Sequence, residues 1–147
     1  MSEARAPGPL RVPIEPRYAD YDTKGHVNNA VYLTYFEIAR SKAWMEVMGG
    51  PLDFPFVLAE ARVRYVSQAM VGDVLEIEIE TIEIRDRAWV WKYTLMNPRD
   101  ERLVASGETV QVMFDYKTRR PIAIPDDLRS RLARLTRDPM VSAGVQP

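Results

Sequence analysis

The sequence predicts an α+β fold: a five-stranded antiparallel sheet wrapped around one long buried helix, with a short helix near the C-terminus. Three observations carry this. Residues 30–48 form one long helix candidate without Pro or Gly. Residues 54–116 are strand-like almost throughout, in four long segments. One helix cannot cover such a sheet if the sheet stays flat, so burying the helix requires the sheet to curl around it. The 147 residues suffice for one domain with one hydrophobic core. That domain is read as residues 10–137, between a flexible lead-in at 1–9 and a tail at 138–147.

Each element has a local reason. In residues 10–17, Leu10, Val12 and Ile14 alternate with Arg11, Pro13 and Glu15, and Pro13 and Pro16 place the strand at a sheet edge. Residues 19–29 carry Asp20, Asp22, Gly25, Asn28 and Asn29 and read as a turn. Asn28 or Asn29 can cap the helix that follows, and Gly49-Gly50-Pro51 ends it. Thr34, Glu37 and Ser41 form a narrow polar stripe on that helix; apolar residues cover most of the rest, the pattern of a buried helix. Glu37 is therefore read as buried and paired, with an interface or the site as the alternative place for it. Residues 56–66 are rich in aliphatic and aromatic side chains. In residues 74–84, Glu76, Glu78 and Glu80 alternate with Leu75, Ile77 and Ile79, which puts the charges outward. Residues 87–96 carry Trp89, Trp91, Tyr93 and Leu95, and residues 102–116 place Val110, Val112 and Phe114 on one side. Residues 84–87 and 97–101 are hairpin turns. Residues 126–135 read as an amphipathic helix with Asp126 or Asp127 near its start.

Composition excludes several functions. The net charge of −1 supplies no basic field for nucleic acid. No apolar run approaches the ~20 residues of a membrane span, and residues 1–10 lack the apolar stretch of a secretory signal. A cytoplasmic chain without membrane or nucleic-acid partners is the expectation. With 0 Cys there is no thiol nucleophile, disulfide or thiolate metal site, and with 1 His no histidine pair can hold a metal. The acids and bases of any enzyme here come mostly from 21 Asp and Glu and from backbone dipoles.

One segment gathers such groups. In residues 17–37, a carboxylate, Asp22, and the chain's single imidazole, His26, lie four apart on a glycine-bearing turn that leads into a helix start. Backbone N–H groups at a helix start favour negative charge, which makes this a candidate oxyanion site for acyl transfer. A carboxylate beside it could polarise water or attack a carbonyl. The same residues also suit a plain capped loop, with His26 as a packed side chain; residue chemistry alone leaves both readings open.

Residues Tyr18 through Leu33 read Tyr-x-Asp-x-Asp-x-x-Gly-His-Val-Asn-Asn-x-x-Tyr-Leu. This resembles the signature of hotdog-fold thioesterases of the 4-hydroxybenzoyl-CoA thioesterase type. Tyr35, Glu37, Ala39 and Arg40 continue the match. Arg64-Tyr65 with Gly72-Asp73, Ser106-Gly107, Asp115, and Pro125 through Leu128 resemble later parts of the family. The resemblance spans about residues 10–135. It implies the hotdog fold and hydrolysis of acyl-CoA to free acid and coenzyme A, without metal or redox cofactor, in a homodimer or homotetramer whose sites form between subunits.

The resemblance also implies roles. Asp22 falls at the catalytic carboxylate, as general base or as nucleophile. Asn29 falls where a helix-start backbone N–H polarises the thioester carbonyl. His26 matches a histidine that plant acyl-carrier-protein thioesterases use beside the carboxylate. Those relatives carry Asn where this chain has Lys24 and a catalytic Glu where it has Gln68, which favours a simpler site centred on Asp22. Gly25, Val27, Asn28, Tyr32 and Gln68 are expected to contribute to substrate binding. Asp20 is read as a turn or ion-pair residue, and Trp44, Trp89 and Trp91 as core or interface anchors. Arg62, Arg64, Arg85, Arg87, Arg119 and Arg120 could meet coenzyme A phosphates, although each alone reads as a solvated charge. The alternatives are a non-catalytic acyl-thioester-binding protein and a thioesterase acting on acyl carrier protein. A hydratase is disfavoured, because such relatives place Asp and His five apart.

Overall fold

The structure, a computed structural model, describes residues 5–49 and 54–142. The chain runs β1 (Leu10–Ile14), a 3₁₀ turn (Tyr18–Asp20), α1 (Val31–Met48), β2 (Phe56–Tyr65), β3 (Leu75–Ile84), β4 (Ala88–Asn97), β5 (Arg102–Asp115), β6 (Arg120–Pro121), α2 (Asp126–Leu132) and α3 (Pro139–Ser142). The sheet order is β1-β3-β4-β5-β2, and every pair is antiparallel. The expected sheet, long helix and short C-terminal helix are all present, and β1 lies at an edge as its prolines predict. The two-residue β6 adds a short sixth strand beside the end of β5.

Helix α1 buries one face. Tyr32, Tyr35, Phe36, Ala39, Ala43, Trp44 and Val47 are buried at helical spacing. This corrects the reading of a helix buried all round. The sheet wraps one side only, and Leu33, Ile38 and Met45 stay about 40% exposed on the other. Glu37 is exposed too, which corrects the buried and paired reading of it. The helix ends as expected: Gly49 takes φ 63°, and its N–H bonds the Met45 carbonyl at 2.6 Å. Gly50 and Pro51 lie outside the described residues.

Aromatic contacts join helix and sheet. Phe36 stacks on Tyr93 with ring centroids 4.5 Å apart, and Trp44 stacks on Trp89 at 6.2 Å. Phe36 reaches the sheet because residue 107 is glycine; a Cβ there would collide with the Phe36 ring and the Arg62 carbonyl oxygen.

Two strand faces differ from their hydropathy pattern. On β5, Thr109, Gln111 and Met113 face the core, while Val110, Val112 and Phe114 are only half-buried. The buried polar pair is satisfied: Tyr93 Oη and Thr109 Oγ1 are 2.6 Å apart, Thr109 Oγ1 donates to Gln111 Oε1, and Gln111 Nε2 donates to the Trp89 carbonyl at 3.2 Å. On β3, the outward-facing Glu80 is nevertheless 9% exposed, because the segment after α2 crosses it. There Thr81 N–H bonds the Leu135 carbonyl at 2.6 Å, and Arg137 pairs with Glu78 and Glu80. The segment read as a tail starts with α3, where Val141 joins the core, and Gly8 N–H in the segment read as lead-in bonds the Arg134 carbonyl at 2.9 Å. Residues 1–4 and 143–147 of those two segments lie outside the described residues.

Candidate active site

The site grows from the turn before α1. Asp20, 1% exposed, is its strut. Its Oδ2 accepts Arg17 N–H at 2.8 Å and the Tyr35 hydroxyl at 2.9 Å, and its Oδ1 accepts the Arg17 guanidinium at 3.0 Å. Burial alone would raise the Asp20 pKa, but these donors outweigh it and hold the carboxyl below its ordinary range. The ion-pair reading of Asp20 therefore matches its surroundings.

Past Asp20 the chain doubles back on itself. Asp22 N–H bonds the His26 carbonyl at 2.8 Å, and Gly25 N–H bonds the Asp22 carbonyl at 3.1 Å. Gly25 takes φ 76°, a conformation that disfavours a side chain. The tight turn lets Asp22 Oδ1 accept two backbone N–H groups, from Lys24 at 2.8 Å and His26 at 3.1 Å. The His26 and Lys24 N–H groups lower the Asp22 pKa, so this exposed carboxyl is ionised at neutral pH. Its Oδ2 has no hydrogen-bond partner among the described residues. One oxygen holds the turn and the other is free to react.

The turn is strapped to the loop after β2. Val27 N–H bonds the Ala69 carbonyl at 2.8 Å, and Val71 N–H bonds the Gly25 carbonyl at 3.0 Å. At the helix start, Asn28 N–H bonds the Asp20 carbonyl at 2.9 Å. Ala30 N–H bonds Asn28 Oδ1 at 3.0 Å, and Val31 N–H bonds the Asn28 carbonyl at 3.0 Å. Asn28 thus does the work of a cap, while the residue at the N-cap is Ala30, without a side-chain bond. Of the N–H groups at residues 28–31, only that of Asn29 has no acceptor among the described residues.

A pocket of about 260 Å³ opens here. Of the residues expected from sequence, it brings together Asp22, His26, Val27, Asn29, Tyr32 and Gln68. Gly25 and Asn28 shape the turn without lining the pocket. Tyr65, Val66 and Ser67 complete the wall and were not expected there. Tyr65 was visible in the family-like Arg64-Tyr65 pair, but its approach to the helix start depends on how β2 lies against α1. Its hydroxyl donates to the Asn29 carbonyl at 2.8 Å, and its ring meets Tyr32 edge-on at 5.0 Å. Tyr32 Oη in turn accepts Ala69 N–H at 3.3 Å.

The arrangement sets a free carboxylate oxygen and an unpaired helix-start N–H around one pocket, which suits attack on a polarised carbonyl. A larger groove of about 880 Å³ lies between β1 and α1, lined by Leu10, Val12, Ile38 and Met45 among others, and contains none of these groups. Of the arginines considered for phosphates, Arg62 pairs with Glu108, Arg85 with Glu83 at 2.9 Å, and Arg87 with Asp86 at 3.4 Å. Among the described residues, no cluster of three or more His, Asp or Glu side chains could hold a metal, and no helix is long and apolar enough to cross a membrane.

Comparison with known proteins bears on this geometry. The pattern of the thioesterase-like superfamily matches residues 16–132. The long-chain acyl-CoA thioesterase FadM of Escherichia coli is 24% identical over 136 residues, covering 87% of this chain and 100% of that protein. The acyl-CoA thioesterase YbgC of Haemophilus influenzae is 26% identical, covering 84% and 93%. Among solved structures, a predicted thioesterase from Bacillus stearothermophilus superposes with TM-score 0.80 at 25% identity, covering 89% and 98%. A Thermus thermophilus thioesterase complexed with coenzyme A and Zn superposes with TM-score 0.77 at 28% identity, covering 88% and 95%.

Proposed function

Because the chain belongs to the thioesterase-like superfamily, we propose that it hydrolyses acyl-CoA thioesters to a free acid and coenzyme A in the pocket between Asp22 and the Asn29 N–H. The observation that carries this is the pairing of two unspent groups, Asp22 Oδ2 and the Asn29 N–H, on one cavity where the backbone N–H groups of the other lining turn residues, Asp22, His26 and Val27, are bonded. The thioester oxygen sits at the Asn29 N–H, which stabilises the negative charge that builds on it during attack. By one route, Asp22 Oδ2 takes a proton from water as the water oxygen attacks the carbonyl carbon. The tetrahedral intermediate expels the coenzyme A thiolate, which then recovers the proton. By the other, Asp22 Oδ2 attacks directly, coenzyme A leaves, and water hydrolyses the mixed anhydride. Both need the carboxylate ionised, and its lowered pKa provides that.

The long-chain and coenzyme A relatives support coenzyme A as the carrier. We also infer that the working unit is a homodimer or homotetramer. β2 is an edge strand of ten residues whose side chains from Leu58 to Arg62 are all exposed, and it ends at the pocket wall.

The test is thiol release from a panel of aliphatic and aryl coenzyme A thioesters, run with Asp22→Asn beside the wild type. Hydrolysis of at least one class by the wild type, with kcat in Asp22→Asn lower by roughly 100-fold or more, is expected. Wild-type kcat in Asp22→Asn would remove Asp22 from the chemistry. Ligand binding without thiol release across the panel would leave only a binding protein.

A further inference from the structure

We propose that Tyr65 is a positioning residue for this reaction: by holding the Asn29 carbonyl, its hydroxyl fixes the helix-start backbone so that the Asn29 N–H meets the thioester oxygen. The inference rests on the reading of Asp22 and Asn29 given above and adds a residue to it.

Asn29 precedes the helix N-cap, Ala30, so its carbonyl lies outside the helical ladder. Asn28, Asn29 and Ala30 are all exposed, so packing does little to hold them. Hydrogen bonds hold them instead. The peptide unit between Asn28 and Asn29 is tied at its carbonyl by Val31 N–H. The unit between Asn29 and Ala30 is tied at its N–H by Asn28 Oδ1 and at its carbonyl by Tyr65 Oη. With both flanking units tied, the Asn29 N–H keeps one direction. Of the ties on these two units among the described residues, the one from Tyr65 comes from outside the turn, across 36 residues of sequence.

The rest of Tyr65 suits the task. Its ring is set edge-on against Tyr32, at 88° and 5.0 Å, and Tyr32 is itself bonded to Ala69 N–H in the strapped loop. A tyrosine hydroxyl has one proton, and here it is committed to the Asn29 carbonyl. Tyr65 therefore acts through Asn29 rather than on the substrate. It is also 48% exposed, so the hydroxyl can be removed with little effect on the core. A preorganised donor is worth more to a developing oxyanion than to a neutral ground-state carbonyl, so its misalignment falls on kcat.

Tyr65→Phe keeps the ring and removes the bond. With the best coenzyme A thioester of the panel, kcat is expected to fall roughly 10-fold while KM stays within about 2-fold. Binding of the matching non-hydrolysable thioether analogue and the thermal midpoint are expected to stay at wild-type values. Wild-type kcat in Tyr65→Phe would overturn the proposal. So would a matching loss of analogue binding, which would make Tyr65 a substrate contact, or a fall in midpoint large enough to explain the lost activity. Asp22→Asn run alongside separates the two claims. If it keeps full activity, the pocket reading itself fails; if it is inactive while Tyr65→Phe matches wild type, only the role of Tyr65 fails.

Discussion

Asp20→Asn should weaken the whole protein although the change is nearly isosteric. The carboxylate is 1% exposed and takes four hydrogen bonds from two residues, Arg17 and Tyr35. The Arg17 guanidinium is largely in water, at 74% side-chain exposure, so its bonds are discounted for screening. The Arg17 N–H at 2.8 Å and the Tyr35 hydroxyl at 2.9 Å remain. Both reach Oδ2, and both are charge-assisted bonds in a buried place. A carboxamide turns one of the two oxygens into a donor, which then faces either these groups or the guanidinium. The expected loss is about 2–4 kcal/mol in urea unfolding at pH 7.

The same carboxyl gives a pH signature. Its folded pKa lies below the ordinary 3.8, so folding favours the ionised form. The stabilisation is complete above about 3.8 and is lost as pH falls through the folded value. The stability difference between wild type and Asp20→Asn should therefore be flat from pH 7 to about 5 and shrink below 3.8. A variant within about 0.5 kcal/mol of wild type at pH 7, or a difference that grows on acidification, would refute the assignment of Asp20 as the strut of the turn.

Two further outcomes follow from the same geometry. His26 supports Asp22 through its backbone N–H and carbonyl, so His26→Ala should keep at least roughly a tenth of wild-type kcat in the thiol-release assay; a loss matching that of Asp22→Asn, with the fold intact, would put the imidazole in the mechanism. Sedimentation equilibrium at assay concentration should give a mass of two chains or more, and an active monomer would rule out a site that needs a second subunit.

The turn that carries Asp22 and His26 was legible because its bonds are short-range. Asp22 to Lys24, Asp22 to His26 and Asn28 to Ala30 span two to four residues, and a Gly at 25 was needed to close the turn. The order of strands and helix was legible for a similar reason, since hydropathy period reports local geometry. The inward face of β5 was less so. Val110, Val112 and Phe114 share one side, yet it is Thr109 and Gln111 that face the core, within a polar chain reaching Tyr93 and Trp89. Irregular pairing adds to the difficulty: the ladders shift register at Thr81/Glu83, Leu58/Glu60 and Leu95/Met96, and such shifts break the simple alternation of sides.

By itself, then, the sequence determined an antiparallel sheet around one long helix and a turn that presents Asp22 beside a helix start. Those follow from local propensity and from hydrogen bonds between near neighbours, which the chain encodes directly. Tertiary structure decided which side of the helix is covered, that Glu80 lies beneath the C-terminal segment, and that Tyr65 reaches Asn29 from the end of β2. Each of these depends on where a distant element comes to rest. That placement is set by the summed packing of the whole core, so no single stretch of sequence carries it.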